Sequence, residues 1–298
     1  MGNVLILGSF DGVHLGHRAL FEKAKAVTQS EKKPIALLFD KHPSEILGKR
    51  VDLLNTLDEK ERLIRLCGID REYINFDKSV ASMEPQQYVD FLCRRFSPDA
   101  FVIGLNHTFG KNASGSAVDL IRYSHEYQYK VHIQPSVMYN DEAVSSTRIR
   151  KCISERDIDN ANAMLGGYYS FAGEVQHGRS VETSMGVPTA NIKYPPKKIE
   201  LPNGVYCVIV HIDGNKYASV MNVGFKPTFG NGLDKTVECF ILGGYNGDLY
   251  GRSLRVDVVK YIRDERRFET TEALKKQIFD DVAITVAYIK THFRDILY

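Results

Sequence analysis

The stretch Val4-Leu5-Ile6-Leu7-Gly8-Ser9-Phe10-Asp11-Gly12-Val13-His14-Leu15-Gly16-His17 decides how the rest of the chain is read. Apolar residues of β character run into a glycine-bearing turn, and two histidines flank Gly16 where the helical pattern Arg18-Ala19-Leu20-Phe21-Glu22-Lys23-Ala24 begins. A strand, a glycine turn and a helix start, in that order, predict an anion site. Glycines let the backbone approach a polyphosphate, free N–H groups and the helix dipole favour negative charge, and imidazoles donate hydrogen bonds to phosphoryl oxygens. The string lacks the lysine and spacing of a Walker loop, and it is not G-x-G-x-x-G.

Outward from this stretch, apolar and helical segments alternate. Val4–Leu7, Ile35–Phe39, Tyr73–Phe76, Phe101–Ile103 and Val131–Ile133 read as strands, and Leu20–Val27, Glu59–Cys67, Gln86–Phe96 and Ala117–Tyr127 show helical spacing between them. That grammar predicts a doubly wound α/β domain with a mostly parallel sheet, whose ligands bind at the carboxyl ends of the strands. The loops expected there are the histidine motif, Asp40-Lys41-His42-Pro43-Ser44, and the stretch from Gly104 to Gly115, Gly-Leu-Asn-His-Thr-Phe-Gly-Lys-Asn-Ala-Ser-Gly. In Val144-Ser145-Ser146-Thr147-Arg148-Ile149-Arg150, hydroxyl residues precede helical spacing as N-caps do. A cation at a positive helix end is mildly unfavourable unless an anion arrives, so Arg148 points to phosphate as well.

Asp157–Leu165 reads as a connecting helix ending on Gly166-Gly167. Beyond it, Tyr168–Val175, Val205–Ile212, Tyr217–Val223, Thr236–Leu242 and Leu254–Ile262 are strand-like and separated by Gly, Pro, Asn and Asp turns. They predict a closed antiparallel β-barrel, followed by a long helix over Glu272–Phe293.

Four strings carry a family resemblance. GSFDGVHLGH resembles the H-x-G-H signature of the nucleotidyltransferase superfamily, and its longer form is similar to the adenylyltransferase module of bacterial FAD synthetases, two-module enzymes with a riboflavin kinase module at the C-terminus. Residues 104–115 resemble that module's V-G-x-[D/N]-F-x-F-G-x-x-x-x-G flavin stretch, with His107 where the family usually has Phe. The SSTRIR string resembles the I-S-S-T-x-I-R motif that closes the triphosphate site. Gly186-Val187-Pro188-Thr189-Ala190-Asn191-Ile192 resembles the G-F-P-T-A-N signature of riboflavin kinases, with supporting matches at 202–206, 222–229, 237–238, 249–251 and 262–265.

The resemblance implies an α/β + β chain: a Rossmann-like nucleotidyltransferase domain with a parallel sheet over 1–153, a connecting helix over 154–167, and a riboflavin-kinase-type barrel over 168–298. It implies His14, His17 and Arg148 as catalytic groups that hold and neutralise phosphate charge. Gly8, Ser9, Phe10, Asp11, Gly12, Ser146 and Thr147 join Arg148 as nucleotide contacts, and Asn106, His107 and Phe109 bind flavin. In the barrel, Thr189 and Asn191 hold Mg²⁺ and nucleotide phosphates, and Glu238 orients or deprotonates the ribityl hydroxyl. As a glycine-flanked loop residue, His17 is expected to carry little of the core.

The implied activity is transfer of AMP from ATP to FMN, giving FAD and pyrophosphate, with Mg²⁺ riding on the ATP phosphates. One departure bears on the barrel. The family's phosphate loop carries a Gly-Arg pair where this chain has Glu182-Thr183, so a guanidinium is lost and a carboxylate added. Phe240 also stands where a polar His or Tyr is common. Kinase activity is therefore expected to be weak or lost, the alternative being a fully bifunctional enzyme that also phosphorylates riboflavin. A non-catalytic flavin or nucleotide sensor would show eroded first-module motifs, and these are intact. Transfer to another phosphate acceptor, such as a pantetheine or nicotinamide precursor, would leave the PTAN string without a role.

Totals bound the rest. The chain has 298 residues, 43% hydrophobic and 26% charged, enough for two domains of an ordinary globular protein. A net charge of +2 argues against a nucleic-acid surface, and the expected partners are the small molecules ATP and flavin. The five cysteines are odd in number and widely spaced, without a C-x-x-C pair. No run is long enough for a signal-peptide core or membrane span, so a cytoplasmic location is expected.

Overall fold

The computed structural model describes residues 3–28, 33–41, 43–46, 48, 52–176, 189–227, 233–296 and 298. The chain divides into two compact units, Met1–Arg148 and Ile149–Tyr298.

In the first unit β1 (Asn3–Leu7) leads into α1 (Leu15–Val27), β2 (Ile35–Phe39), α2 (Pro43–Ile46), α3 (Leu57–Leu66), β3 (Asp70–Ile74), α4 (Lys78–Ala81), α5 (Pro85–Phe96), β4 (Pro98–Gly104), α6 (Ala117–Tyr127) and β5 (Lys130–Gln134). These strands form a parallel sheet in the order β3-β2-β1-β4-β5. Central β1 is covered on both sides. Leu5 and Leu7 join Val89, Leu92 and Phe101 in one core, and Val4 and Ile6 join Phe21, Ala24 and Ile64 in the other. Burial on both faces explains why this strand is a continuous apolar run rather than an alternating one. Each such large side chain taken out of water contributes roughly 1.5–3 kcal/mol. On α1 the buried positions His17, Leu20, Phe21 and Ala24 mark one helical stripe.

The strand order reverses between β1 and β4, so the loops leaving these neighbours diverge and open a crevice at their carboxyl ends. β3 begins and ends earlier than its apolar residues predict. Its register runs from Ile35↔Asp70 to Phe39↔Ile74, and it is an edge strand rich in charge, so apolar spacing does not mark it. Phe76 lies past the strand, where its N–H donates to the Asp40 carboxylate at 2.8 Å.

A small hairpin, β6 (Met138–Tyr139) and β7 (Glu142–Ala143), precedes α7 (Ser146–Ser154). Asn140 and Asp141 turn it with positive φ of 50° and 61°.

The second unit continues with α8 (Ile158–Leu165), β8 (Tyr169–Gln176), β9 (Thr189–Ile192), β10 (Gly204–Ile212), β11 (Asn215–Pro227), β12 (Leu233–Ile241), β13 (Ser253–Arg263) and α9 (Thr271–His292). The strands close a barrel in the order β10-β11-β12-β9-β8-β13. One strand more is present than strand-like spacing predicts, because Thr189–Ile192 form the short strand β9. α8 is a buttress rather than a free tether. Asn162 donates to Val258 O at 3.0 Å and accepts the Tyr169 N–H at 2.7 Å. α9 covers Cys207, Ile209 and Val259 with Ile289 and its neighbours, so β10 and β13 are buried on two faces there. The architecture is thus a parallel α/β sheet followed by an antiparallel barrel and a terminal helix. Among the described residues no helix is long and apolar enough to cross a membrane.

Candidate functional site

Local backbone strain marks the turn after β1. Phe10 and Val13 have φ of 50° and 43°, a conformation that costs roughly 1–3 kcal/mol per residue and is least suited to a β-branched side chain. Packing holds it. Both side chains are fully buried, and the Phe10 ring lies 5.4 Å from both His17 and Phe21. His14 and His17 stack with ring centroids 3.7 Å apart and planes at 20°. A Cβ at Gly16 would come within 3.1 Å of the His14 ring, so glycine is what permits the stack.

The stacked pair is buried, uncharged and incompletely hydrogen-bonded. Burial lowers His14 from 6.5 to about 4 against the pull of Asp11, and it lowers His17 well below its ordinary value, with help from the charges of His14 and Lys60. Among the described residues both Nδ1 atoms are buried without a partner. Such atoms cost free energy until something pairs with them. His14 is also the N-cap of α1, with no side-chain cap bond and no acidic residue in the first turn. Neutral imidazoles and helix N–H groups together make a donor array suited to a phosphate. The expectation that His17 carries little of the core is corrected: it is only 9% exposed and belongs to the buried stripe of α1.

Two distant segments close on this turn. Ser146 Oγ donates to Asp11 O at 2.8 Å, which brings the SSTRIR string onto the histidine motif. Ser145 Oγ accepts the Arg148 N–H at 3.2 Å and so acts as the cap of α7. The Asp11 carboxylate accepts from Leu54 N at 3.0 Å and Asn55 N at 3.1 Å. Just beyond, Thr56 and Glu59 form a capping box that starts α3. Lys60, on the next residue of α3, donates from Nζ to Ser9 O at 2.9 Å. Sequence reasoning missed Lys60, since nothing in the charged string of α3 distinguishes it from a solvated lysine.

The predicted site residues divide into lining and supporting groups. Gly8 is half-buried, and Ser9 and Thr147 are exposed, whereas Phe10, Asp11 and Gly12 are buried and hold the turn. Arg148 points its guanidinium at the hairpin: it donates to Tyr139 O at 2.7 Å and Glu142 O at 2.9 Å and pairs with the Glu142 carboxylate at 3.2 Å. The hairpin had a usable signal in Asn140-Asp141.

In the loop after β4, Asn106 is exposed and His107 partly so, while Phe109 is buried against Tyr88 with centroids 6.0 Å apart. Phe109 stacks behind His107 at 6.1 Å. Burial lowers His107 to about 4, and its Nε2 is buried without a partner among the described residues.

In the barrel, strand register assembles a second site. Asn191 and Asn222 both lie opposite Glu238, and Thr189 and Val220 both lie opposite Phe240, so one face of β9, β12 and β11 carries all six. Ala190, Met221 and Cys239, at the alternate positions, are fully buried. The first face looks into a cavity of about 140 Å³ lined by Thr189, Asn222, Glu238, Phe240, Arg266 and Phe268, among others, and by α9. Its back wall is tied by Arg263, which makes a two-pronged pair with Asp281 at 2.9 and 2.7 Å, Asp281 also accepting from Gln277 at 3.0 Å. A Cβ at Gly224 would strike the Glu265 carboxylate beside the same cavity. The loop from His177 to Gly186, with Glu182 and Thr183, lies outside the described residues.

Comparison with known proteins agrees with this division. A family model described as FAD synthetase matches residues 1–148, and one described as riboflavin kinase matches residues 165–289. A bifunctional riboflavin kinase/FMN adenylyltransferase of Buchnera aphidicola subsp. Acyrthosiphon pisum is 33% identical over 97% of this chain and 94% of its own length. The protein of the same name from Listeria monocytogenes is 30% identical over 97% of this chain and 93% of its own. A crystal structure described as a macrolide-efflux protein from Streptococcus pneumoniae superposes with a TM-score of 0.87 at 29% identity, covering 95% of this chain and 93% of that one. With two module matches in this order and relatives aligned nearly end to end, the chain belongs to the bifunctional riboflavin kinase/FMN adenylyltransferase family.

Proposed function

We propose that the first unit transfers AMP from ATP to FMN at the turn after β1. An FMN phosphate oxygen attacks the α-phosphorus, a new P–O bond forms as the bond to the β-phosphate oxygen breaks, and pyrophosphate leaves with that electron pair. The attacking phosphate is already an anion, so no base is required. A site of neutral donors and a helix N-terminus suits this chemistry, because it stabilises charge without taking up a proton.

The observation that carries the proposal is the Ser146–Asp11 hydrogen bond, which joins two motifs 135 residues apart at the turn after β1. Arg148 would reach phosphate by exchanging Glu142, whose side chain is 73% exposed. Glu142 is the solvated end of that pair, so exchanging its carboxylate for a multiply charged phosphate costs little, while Nη1 keeps the Tyr139 and Glu142 carbonyls. The neighbouring loop after β4 would receive the flavin, with Asn106 and His107 in contact and Phe109 as backing.

The second unit would phosphorylate riboflavin as the slower of the two activities. Thr189 and Glu238 line the cavity and Asn191 lies opposite Glu238 in the register, an arrangement that supports catalysis. Glu182 and Thr183 in the phosphate loop support a reduced rate. Among the described residues no cluster of three His, Cys, Asp or Glu side chains could hold a metal by itself. The oxygen donors of Thr189 and Asn191 beside Glu238 suit a hard cation brought by nucleotide, and Mg²⁺ would there supply charge neutralisation.

A paired assay with ATP and Mg²⁺, FMN in one tube and riboflavin in the other, tests both halves. FAD should form rapidly from FMN and slowly from riboflavin. Failure with FMN refutes the first assignment, and equal rates refute the slow kinase. His17→Ala should lower FAD formation from FMN by about 10²–10³-fold, with thermal unfolding followed in parallel to separate lost packing from lost catalysis.

A further inference from the structure

Lys60 stands fifty-one residues from Ser9 in sequence, yet its ammonium closes on the backbone of the motif turn. The path that puts it there can be followed bond by bond. The buried Asp11 carboxylate collects the N–H groups of Leu54 and Asn55, which fixes the chain entering α3. The Thr56–Glu59 capping box then sets the direction of the first helical turn. Lys60 follows immediately and reaches Ser9 O.

An ammonium carries three donors, and the hydrogen bond described for it uses one. Among the described residues Lys60 has no ion-pair partner. Its charge is felt by His17, whose protonation it opposes, so it lies within electrostatic reach of that imidazole. Burial also pulls the Lys60 pKa down, with Asp11 opposing, as for a cation held where solvent compensates it poorly. Arg148, by contrast, spends its guanidinium on Tyr139 and Glu142.

From this geometry we infer that Lys60 is a phosphate-binding residue of the first unit, placed by Asp11 to hold the polyphosphate of ATP and the pyrophosphate released from it. A compact point charge suits that task, since the charge to be neutralised shifts onto the departing pyrophosphate. The inference rests on reading the first unit as a nucleotidyl-transfer site and adds a cation that no motif contains.

The test uses the full chain as wild type, Lys60→Met and Lys60→Arg. FAD formation is measured with ATP and FMN varied separately, and binding of inorganic pyrophosphate is measured by calorimetry without flavin. Lys60→Met should weaken pyrophosphate binding and raise the KM for ATP or lower kcat by roughly 10- to 100-fold. The KM for FMN should stay unchanged, and Lys60→Arg should recover part of the loss. Wild-type pyrophosphate binding and ATP kinetics in Lys60→Met would overturn the inference. So would a loss that raises both KM values alike and follows a lowered unfolding temperature, the mark of a purely structural tie. If Lys60→Met fails to fold, folded Lys60→Gln takes its place: weakened pyrophosphate affinity supports the inference, and unaltered affinity overturns it. A wild-type chain that makes no FAD yet binds pyrophosphate through Lys60 would remove FMN as the acceptor and leave the inference standing.

Discussion

The turn after β1 and the cavity beside α9 are built in opposite ways. At the turn, His14 and His17 are neutral, buried and short of hydrogen-bond partners, and the backbone around them is strained. At the cavity, the dominant buried charges are already matched, Arg263 with Asp281, and the reactive candidates Glu238 and Thr189 sit on regular strands. The difference matches the chemistry proposed for each unit. Attack by an existing phosphate anion needs donors in place and no base, whereas attack by a hydroxyl needs a carboxylate near the acceptor and a stable wall to aim it.

The largest effect expected from this contrast belongs to Glu238. Glu238→Gln should cut riboflavin phosphorylation by about 10²–10⁴-fold, the usual worth of a general base. FAD formation from FMN should keep its wild-type rate. Parallel loss of both activities, measured by chromatography of the products, would break the assignment of one chemistry to each unit.

Next comes the paired wall of the cavity. Asp281 is only 2% exposed, so Asp281→Ala strips the half-buried Arg263 guanidinium of its carboxylate and leaves it the Asp264 carbonyl. A loss of about 3–5 kcal/mol is expected, read from urea unfolding of the full chain. A loss below about 1 kcal/mol would place this pair with ordinary surface bridges and remove half of the comparison.

The neutral imidazole pair makes a pH prediction. The folded value of His14, about 4, lies below its unfolded value of 6.5, so the unfolded chain binds more protons between them. Stability is therefore full above 6.5 and is lost as pH falls towards 4, by roughly 3 kcal/mol for His14 alone. His14→Gln should flatten that slope in unfolding free energies measured across the window. A slope identical to wild type would show that His14 is not held neutral.

How far the chain was legible depended on whether the signal was local. The first strand, the histidine turn and the SSTRIR cap could be read because glycine spacing, apolar runs and hydroxyl caps act within a few residues. β3 was displaced in the reading because an edge strand of Asp, Arg and Glu has no apolar pattern, and its span is set by pairing with β2. β9 was recognised as a motif and not as a strand, since four residues do not show a period; its partners on β8 and β12 make it one. The motif marks Phe109 as a flavin contact, and only the tertiary packing against Tyr88 shows that its ring also belongs to the core.

By itself the sequence determined which local structures form, and through its motifs the family and the chemistry to look for. Tertiary structure decided which of those residues meet. Strand order put the loops after β1 and β4 side by side, Asp11 drew in Leu54 and Asn55, Ser146 closed on Asp11, and Lys60 reached Ser9. The reason is physical: periodicity and capping are set by neighbours along the chain, whereas a buried hydrogen bond between residues 43 or 135 positions apart exists only once the packed sheet has excluded water and brought its ends together.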